Sequence, residues 1–381
     1  MDSTAHSHLR SLVRVVLATT VVGALAAPTS CARVTTIPER LDDSAFWTLV
    51  SNLSEPDGYF HSDNFVSNEL GFQYVIPEML AAVGTGGVYV GVGPDQNFTY
   101  VAALRPRIAF IVDIRRQNML QHLMYKALIE MSSDRADFLA RLFSRNWDVL
   151  PAHGLGADSL FSLLGDLPRD SIHFQTNLTA IFDRLTRHHR FILDPMDSAS
   201  LQYVYKAFYD AGTSLTYSSN SGRGFAGRGM PSYRMLMTAT DQDGVNRSYM
   251  GSDEAFATLK DLQQRNLIVP VVGDFAGPKA LRAVGQWVRR QNATVDVFYV
   301  SNVEQYLFQQ GDAWQRFYGT VSSMPRHPRA VFVRSVSLRG WGPRQHPYAR
   351  SSSVTSSIDR VLDLFHIGRL QGYDDILDLS R

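Results

Sequence analysis

Apolar residues recur at helical intervals over residues 45–53, where Phe46, Leu49, Val50 and Leu53 share one face, and Glu55-Pro56-Asp57-Gly58 then interrupts the pattern. A short helix followed by a turn is expected there. Residues 59–68 mix aromatic and polar side chains, with His61, Asp63, Asn64, Ser67, Asn68 and Glu69 crowded ahead of an apolar run at 74–83. Such a stretch reads as a solvated loop or as a lid over a pocket. From Gly86-Gly87 the periodicity sharpens. Val88-Tyr89-Val90 is β-rich, Gly91-Val92-Gly93-Pro94 turns the chain, 98–104 begins a helix, and 108–112 is a second apolar strand ending at Asp113. The following segment, 117–131, carries Leu120, Leu123, Met124, Ala127 and Leu128 at helical spacing, which predicts a helix with one face in the core.

Between 132 and 264 the pattern loosens, and helices are expected near 134–143, 158–164 and 200–210. Residues 213–230 are rich in Ser, Gly and Arg without an apolar period, so they predict a mobile loop, or alternatively an arginine-bearing lid that closes on an anionic ligand. Regularity returns at 267–272, a buried-strand pattern ending in Gly273-Asp274. A helix over 279–289 follows, with Ala280, Leu281, Val284 and Trp287 inward, and then a strand over 295–300 ending in Ser301-Asn302. A strand at 331–333 and a helix at 357–364 complete the reading. Strands alternating with helices in both halves predict an α/β fold whose mostly parallel sheet is covered by helices on both faces. Residues 34–131 and 265–381 form its two halves. Residues 132–264 form a large, mainly helical insertion, either a substrate-covering subdomain or a structural elaboration.

Composition narrows the class. With 381 residues, 45% of them hydrophobic, the chain can bury a large core as one elaborated domain or two, which excludes a disordered or fibrous protein. A formal charge of +1 offers no field to steer the chain toward nucleic acid. The single cysteine, Cys31, excludes an internal disulfide framework and a cysteine-rich metal site. At the N-terminus, Arg10 and Arg14 precede an apolar run over 15–27 that ends in small residues, the pattern of an export signal. The run is shorter than the roughly 20 apolar residues that span a bilayer, so cleavage is preferred to a permanent anchor. Residues 1–33 are therefore expected to be a leader to an exported, periplasmic or membrane-tethered protein, with lipidation of Cys31 as one means of tethering. The alternative is a disordered leader on a cytoplasmic protein.

In an open parallel sheet, ligands bind where loops leave the carboxyl ends of the strands, and a glycine turn there admits close backbone approach. Gly91, Gly93, Asp113, Asp274 and Asn302 all follow predicted strands. Asp113 lies about twenty residues beyond Gly93, the separation at which a carboxylate can accept hydrogen bonds from a ribose diol.

Val88-Tyr89-Val90-Gly91-Val92-Gly93-Pro94 resembles the glycine motif of class I S-adenosylmethionine-dependent methyltransferases, and Ile111-Val112-Asp113 resembles their second motif. Val271-Val272-Gly273-Asp274-Phe275 is similar to the third, and the run from Asp296 to Leu307 to the strand and turn that face the transferred methyl group. The wording Gly93-Pro94-Asp95-Gln96-Asn97-Phe98, Val112-Asp113-Ile114-Arg115-Arg116-Gln117-Asn118 and Ser301-Asn302-Val303-Glu304 further resembles an uncharacterised bacterial family with a methyltransferase-like fold, over most of the chain after residue 45. The resemblance implies a Rossmann-like fold and S-adenosylmethionine as cofactor, with Gly91, Gly93, Asp95, Asp113 and Asp274 as its candidate contacts. Asn302 and Glu304, after the fourth matching strand, and Tyr59, His61, Asp63 and Asn64 of the polar loop are candidate substrate contacts, with Tyr59 alternatively packing on the cofactor. Two positions depart from the motif: Tyr89 stands where an acid is usual, and Asp95 where a third glycine is frequent. Glu55, Asp63, Glu69 and Asp95 are alternative carboxylates for the cofactor's amino-acid portion. An aspartate at a helix start opposes a pyrophosphate, which disfavours NAD.

Other candidates are set aside. His188 and His189 are adjacent on an expected helix, so they point apart and read as a solvated pair; no metal site is expected. Arg115 and Arg116 read as solvated charges beside the sheet, or alternatively as contacts to an acidic ligand. No HExxH, P-loop or GxSxG spacing occurs. The expected function is that of a methyltransferase-like enzyme acting on a small molecule or protein side chain. The alternatives are a non-catalytic exported ligand-binding protein of the same fold and, behind it, a dinucleotide-dependent oxidoreductase.

Overall fold

The computed structural model describes residues 36–146, 153–218, 230–337 and 350–380. The leader with Cys31 lies outside them, as does 219–229, the larger part of the Ser/Gly/Arg stretch.

Helix α1, Asp43–Leu53, begins where the Asp42 carboxylate accepts a hydrogen bond from the Ala45 backbone at 2.7 Å, filling one of the donors a helix start leaves open. A 3₁₀ turn, Phe72–Val75, leads into α2, Ile76–Val83. Then come β1 (Val88–Gly91), α3 (Gln96–Leu104), β2 (Ile108–Asp113) and α4 (Arg116–Met131). Among the described residues, six α-helices lie between α4 and the next strand: α5 (Arg135–Phe143), α6 (Ala157–Asp166), α7 (Ser171–Phe182), α8 (Pro195–Ala211), α9 (Tyr233–Thr238) and α10 (Asp253–Gln264). The chain finishes with β3 (Ile268–Val272), α11 (Ala280–Arg290), β4 (Val295–Ser301), α12 (Val303–Leu307), α13 (Ala313–Ser323), β5 (Arg326–Ser337), β6 (Ser351–Ser357), α14 (Ile358–His366) and α15 (Tyr373–Asp378).

The fold is α/β, with a six-stranded sheet in the order β3-β2-β1-β4-β5-β6. Strands β3 to β5 are parallel, while β6 runs antiparallel to β5. Register explains how both faces are covered. Val90, Phe110, Phe298 and Phe332 fall in one cross-strand row. Phe110 meets Trp287 of α11 edge-on at 5.3 Å, and Phe298 and Phe332 meet Phe317 of α13. Tyr89 and Tyr299 project to the opposite face, where both rings pack on Tyr100 of α3. Helix α4 packs on β2 and β3, and α5, α8 and α10 pack in turn on α4.

Two elements correct the sequence reading. The 331–333 strand is the inner part of a twelve-residue β5. Ser351–Ser357, in which Val354 is the single apolar residue, forms β6, because the strand is buried by its pairing with β5 and by the Phe72–Val75 turn packed on it. At the other margin of the sheet, Ser54 and Glu55 bind β3: Ser54 Oγ accepts from the Val272 N–H at 3.0 Å, and the Glu55 N–H donates to the Val272 carbonyl at 2.8 Å.

Candidate functional site

A cavity of about 330 Å³ opens at the carboxyl ends of β1 to β4. Its lining comes from Val92-Gly93-Pro94 after β1, Asp113-Ile114-Arg115 after β2, Gly273-Asp274-Phe275 after β3, and Ser301-Asn302-Val303 after β4. The loop 59–69 covers it from the front, with Tyr59, Phe60, His61, Asn64 and Glu69 contributing, while Tyr217 and Tyr306 close the sides. Because β1 has β2 and β3 on one side and β4 on the other, the chain order reverses beneath the cavity, the place where open sheets part their loops.

The glycine turn is built by contacts behind it. A Cβ on Gly91 would stand 2.0 Å from Asn97 Oδ1, and Gly93 holds φ at +80°, a conformation suited to glycine. Asn97 uses this room to donate to the carbonyls of Val92 at 2.9 Å and Pro94 at 2.7 Å, while accepting from the Tyr89 hydroxyl at 2.8 Å. His122 Nε2 donates to the Gly93 carbonyl at 2.9 Å; burial lowers its pKa to about 4, so the ring is neutral. The turn's carbonyls are thus held inward.

Asp113 is buried and bound by Arg115, whose backbone N–H and Nε donate to Oδ1 at 2.9 and 3.0 Å and whose Nη2 donates to Oδ2 at 3.0 Å. Arg116 pairs with Asp197 through two hydrogen bonds at 2.5 and 2.7 Å. Neither arginine is a solvated charge: a buried carboxylate recruits each of them. Asp274 Oδ1 accepts from the Ala276 N–H at 2.9 Å, while the Asp274 N–H donates to Glu55.

Glu69 lies at the β4 side, only 2% exposed. Tyr299 donates to its Oε1 at 2.7 Å, Ser301 Oγ donates to the same oxygen, and Gln96 Nε2 donates to Oε2 at 2.9 Å. Burial raises its pKa, and these neutral donors only partly oppose the rise. Ser301 takes φ of +52° and Asn64 φ of +50°, so two of the cavity's polar residues sit in the left-handed region that non-glycine residues avoid. Asn64 Oδ1 is buried without a hydrogen-bond partner.

Of the residues singled out in the sequence, Gly93, Asp113, Asp274, Tyr59, His61, Asn64 and Asn302 line the cavity together. Four do not. Gly91 lies behind the turn. Asp95 is buried in the helical layer, where Tyr249 donates to it at 2.8 Å and burial raises its pKa to about 7. Asp63 accepts from Tyr203 at 3.1 Å and from Ser218 at 3.0 Å. Glu304 is 1% exposed and paired with Arg334, accepting also from Tyr318 at 2.5 Å. Among the alternative carboxylates, Glu55 accepts from the Lys279 and Ala280 N–H groups, each at 2.7 Å, at the start of α11, which leaves Glu69 as the one in the lining.

Of the pair His188 and His189, the first is exposed as expected and the second is not. His188 ends a π-helical turn, Asp183–His188, whereas His189 is 7% exposed, its Nδ1 2.9 Å from Asp43 and its Nε2 2.6 Å from Glu130. Burial pushes Glu130 upward, but the His189 hydrogen bond and the Lys126 charge outweigh it and hold its pKa below the ordinary value. Asp43, His188 and His189 bring one ligand atom each within 4.8 Å of the others. His189 is already bound on both nitrogens by carboxylates, which accounts for the cluster as an ion network joining α1, α4 and the segment after α7.

Phe60, Tyr217, Tyr299 and Tyr306 were not separable from core aromatics by their spacing; only their position around the strand ends marks them. Among the described residues, no helix is long and apolar enough to cross a membrane. No curated protein matches the chain. Over residues 64–149 and 156–364 it matches the family described as a domain of unknown function, DUF7790. That match spans more than half of the chain and includes every strand, and the chain belongs to this family.

Proposed function

We propose that the protein is a Rossmann-like, S-adenosylmethionine-dependent methyltransferase-like protein whose cofactor lies across the β2–β1–β4 crevice, with a small molecule or a protein side chain as methyl acceptor. The carrying observation is the convergence of Gly93, Asp113, Asp274 and Asn302 on one cavity where the strand order reverses. A carboxylate has about four acceptor positions. Arg115 fills two at Asp113 Oδ1 and one at Oδ2, which leaves a position at Oδ2 for a ribose hydroxyl. Glu69, Asp113 and Asp274 outnumber the Arg115 charge, so the cavity suits a sulfonium better than a pyrophosphate. Methyl transfer asks chiefly for in-line placement of donor and acceptor, which a crevice of this kind supplies.

Closure of Arg115 over Asp113 favours a second reading, in which the same crevice binds its ligand without group transfer. Thermal unfolding with S-adenosylmethionine, S-adenosylhomocysteine and NAD is the first test, since a ligand bound by the native state alone raises the apparent stability by mass action. Both sulfur nucleosides are expected to raise Tm, and NAD to leave it unchanged. A shift with NAD alone, or with none of the three, defeats the proposal. Binding without loss of the methyl group across a panel of acceptors supports the second reading.

A further inference from the structure

The cavity's charges are unevenly paired. Asp113 is neutralised by Arg115, and Asp274 closes its own turn onto Ala276. Among the described residues Glu69, by contrast, has only neutral partners: the Tyr299 and Ser301 hydroxyls, the Gln96 amide and the nearby Ser335 hydroxyl. A buried carboxylate without a cation is costly, and it lowers that cost either by keeping a proton or by receiving a positively charged partner. Since Glu69 faces the cavity, a ligand can supply that partner.

We infer that Glu69 is the binding residue for a protonated amine, so that the cavity selects amine-bearing nucleosides over neutral ones. This rests on the nucleoside reading of the crevice given above. Position supports it. Asp113 ends β2 and Ser301 ends β4, with β1 between them. Two strand spacings of roughly 4.8 Å separate them, about 10 Å in all. A ribose held at Asp113 thus leaves the far end of a short aliphatic tail beside Glu69. Ser301 adopts its left-handed backbone at the end of β4 and directs its hydroxyl onto the Glu69 carboxylate, orienting it from the strand end.

The groups that face Glu69 are the phenols of Tyr89 on β1, Tyr100 on α3, Tyr299 on β4 and Tyr373 on α15, with Gln96, Ser301 and Ser335. Each of these phenols is held above its ordinary pKa and stays neutral near pH 7. No cation stands among these groups, so an ammonium docked at Glu69 would be its charged partner.

The test compares S-adenosylhomocysteine, which carries an α-ammonium, with 5′-methylthioadenosine, which lacks it, by calorimetry on the full chain. S-adenosylhomocysteine is expected to bind roughly tenfold tighter, the scale of one charge-assisted hydrogen bond. Glu69→Gln is expected to erase the preference while leaving 5′-methylthioadenosine affinity unchanged. Equal affinities in the wild type, or a preference that survives in Glu69→Gln, overturn the amine assignment and leave the nucleoside reading standing. Failure of both nucleosides to bind overturns the two together. Should Glu69→Gln not fold, wild-type affinities for the decarboxylated and the deaminated analogues of S-adenosylhomocysteine decide, and equal affinities defeat the assignment.

Discussion

Arg115 holds the Asp113 carboxylate on one side and the loop 59–69 on the other: its Nη1 donates to the Ser62 carbonyl at 3.0 Å and to that of Asp63, while Nε and Nη2 face Asp113. One side chain therefore ties the carboxyl end of β2 to the cover of the cavity. Arg115→Met should leave Asp113 as a buried, unpaired charge and cost ~3–5 kcal/mol of stability. Urea unfolding measures the loss, and limited proteolysis should cut within 59–64 sooner than in the wild type. A variant as stable as the parent would show that the pair carries no net stabilisation.

The glycine turn offers a comparison internal to one motif. Gly91→Ala places a methyl group 2.0 Å from Asn97 Oδ1, whereas Gly93→Ala meets nothing within 4 Å and is opposed only by its φ of +80°. Overpacking at Gly91 should cost ~1–3 kcal/mol and displace Asn97 from the turn. The left-handed backbone at Gly93 should cost about 1–2 kcal/mol. Unfolding midpoints for the two variants, with ligand affinity falling further for Gly91→Ala, check the order.

Asp95 gives the fold a pH signature of its own. Its folded pKa of about 7 lies above the ordinary aspartate value because burial outweighs the Tyr249 hydrogen bond. Between about pH 4 and pH 7 the folded state binds the extra proton, so Asp95 makes stability fall as pH rises through this window and adds no further slope above it. Asp95→Asn should flatten that part of the stability–pH curve and be ~4 kcal/mol more stable relative to wild type at pH 8 than at pH 4. Chemical unfolding across this range decides it, and a slope identical to the wild type would rule Asp95 out.

Glu304 follows the cavity's Asn302 by two residues, yet it belongs to the core. Glu304→Gln should break its buried pair with Arg334 and cost ~3–5 kcal/mol, while nucleoside affinity in the variant that remains folded stays unchanged. A matched set of unfolding and binding curves separates the two roles. A selective loss of affinity would place Glu304 at the ligand after all.

Strand ends and cavity residues differ in how far they can be read from the chain. Val88 to Asp113 was legible because glycine turns, strand runs and an acid at a fixed separation are local signals, and β1, α3 and β2 form where those signals lie. The direction of a side chain is not local. Asn302 enters the cavity and Glu304 enters the core two residues later, because the chain turns into α12 between them. Asp95 similarly turns away from the strand ends toward Tyr249, a residue 154 positions distant in the chain. Helices α7 and α10 escaped notice because their apolar faces are narrow, with Phe174, Leu178 and Ile181 the buried apolar residues of the first. Glu69 could be named as a carboxylate but not ranked above Glu55, since only tertiary packing shows that Glu55 caps α11.

The two margins of the sheet bear on the protein's behaviour in crowded solution. Ser54 and Glu55 occupy the exposed donor and acceptor of Val272, and the Phe72–Val75 turn shields β6. A bare ladder there would be a template for joining chain to chain into stacked sheets. Capped at the Val272 end of β3 and packed by that turn at β6, the sheet offers less open ladder from which fibrils could grow.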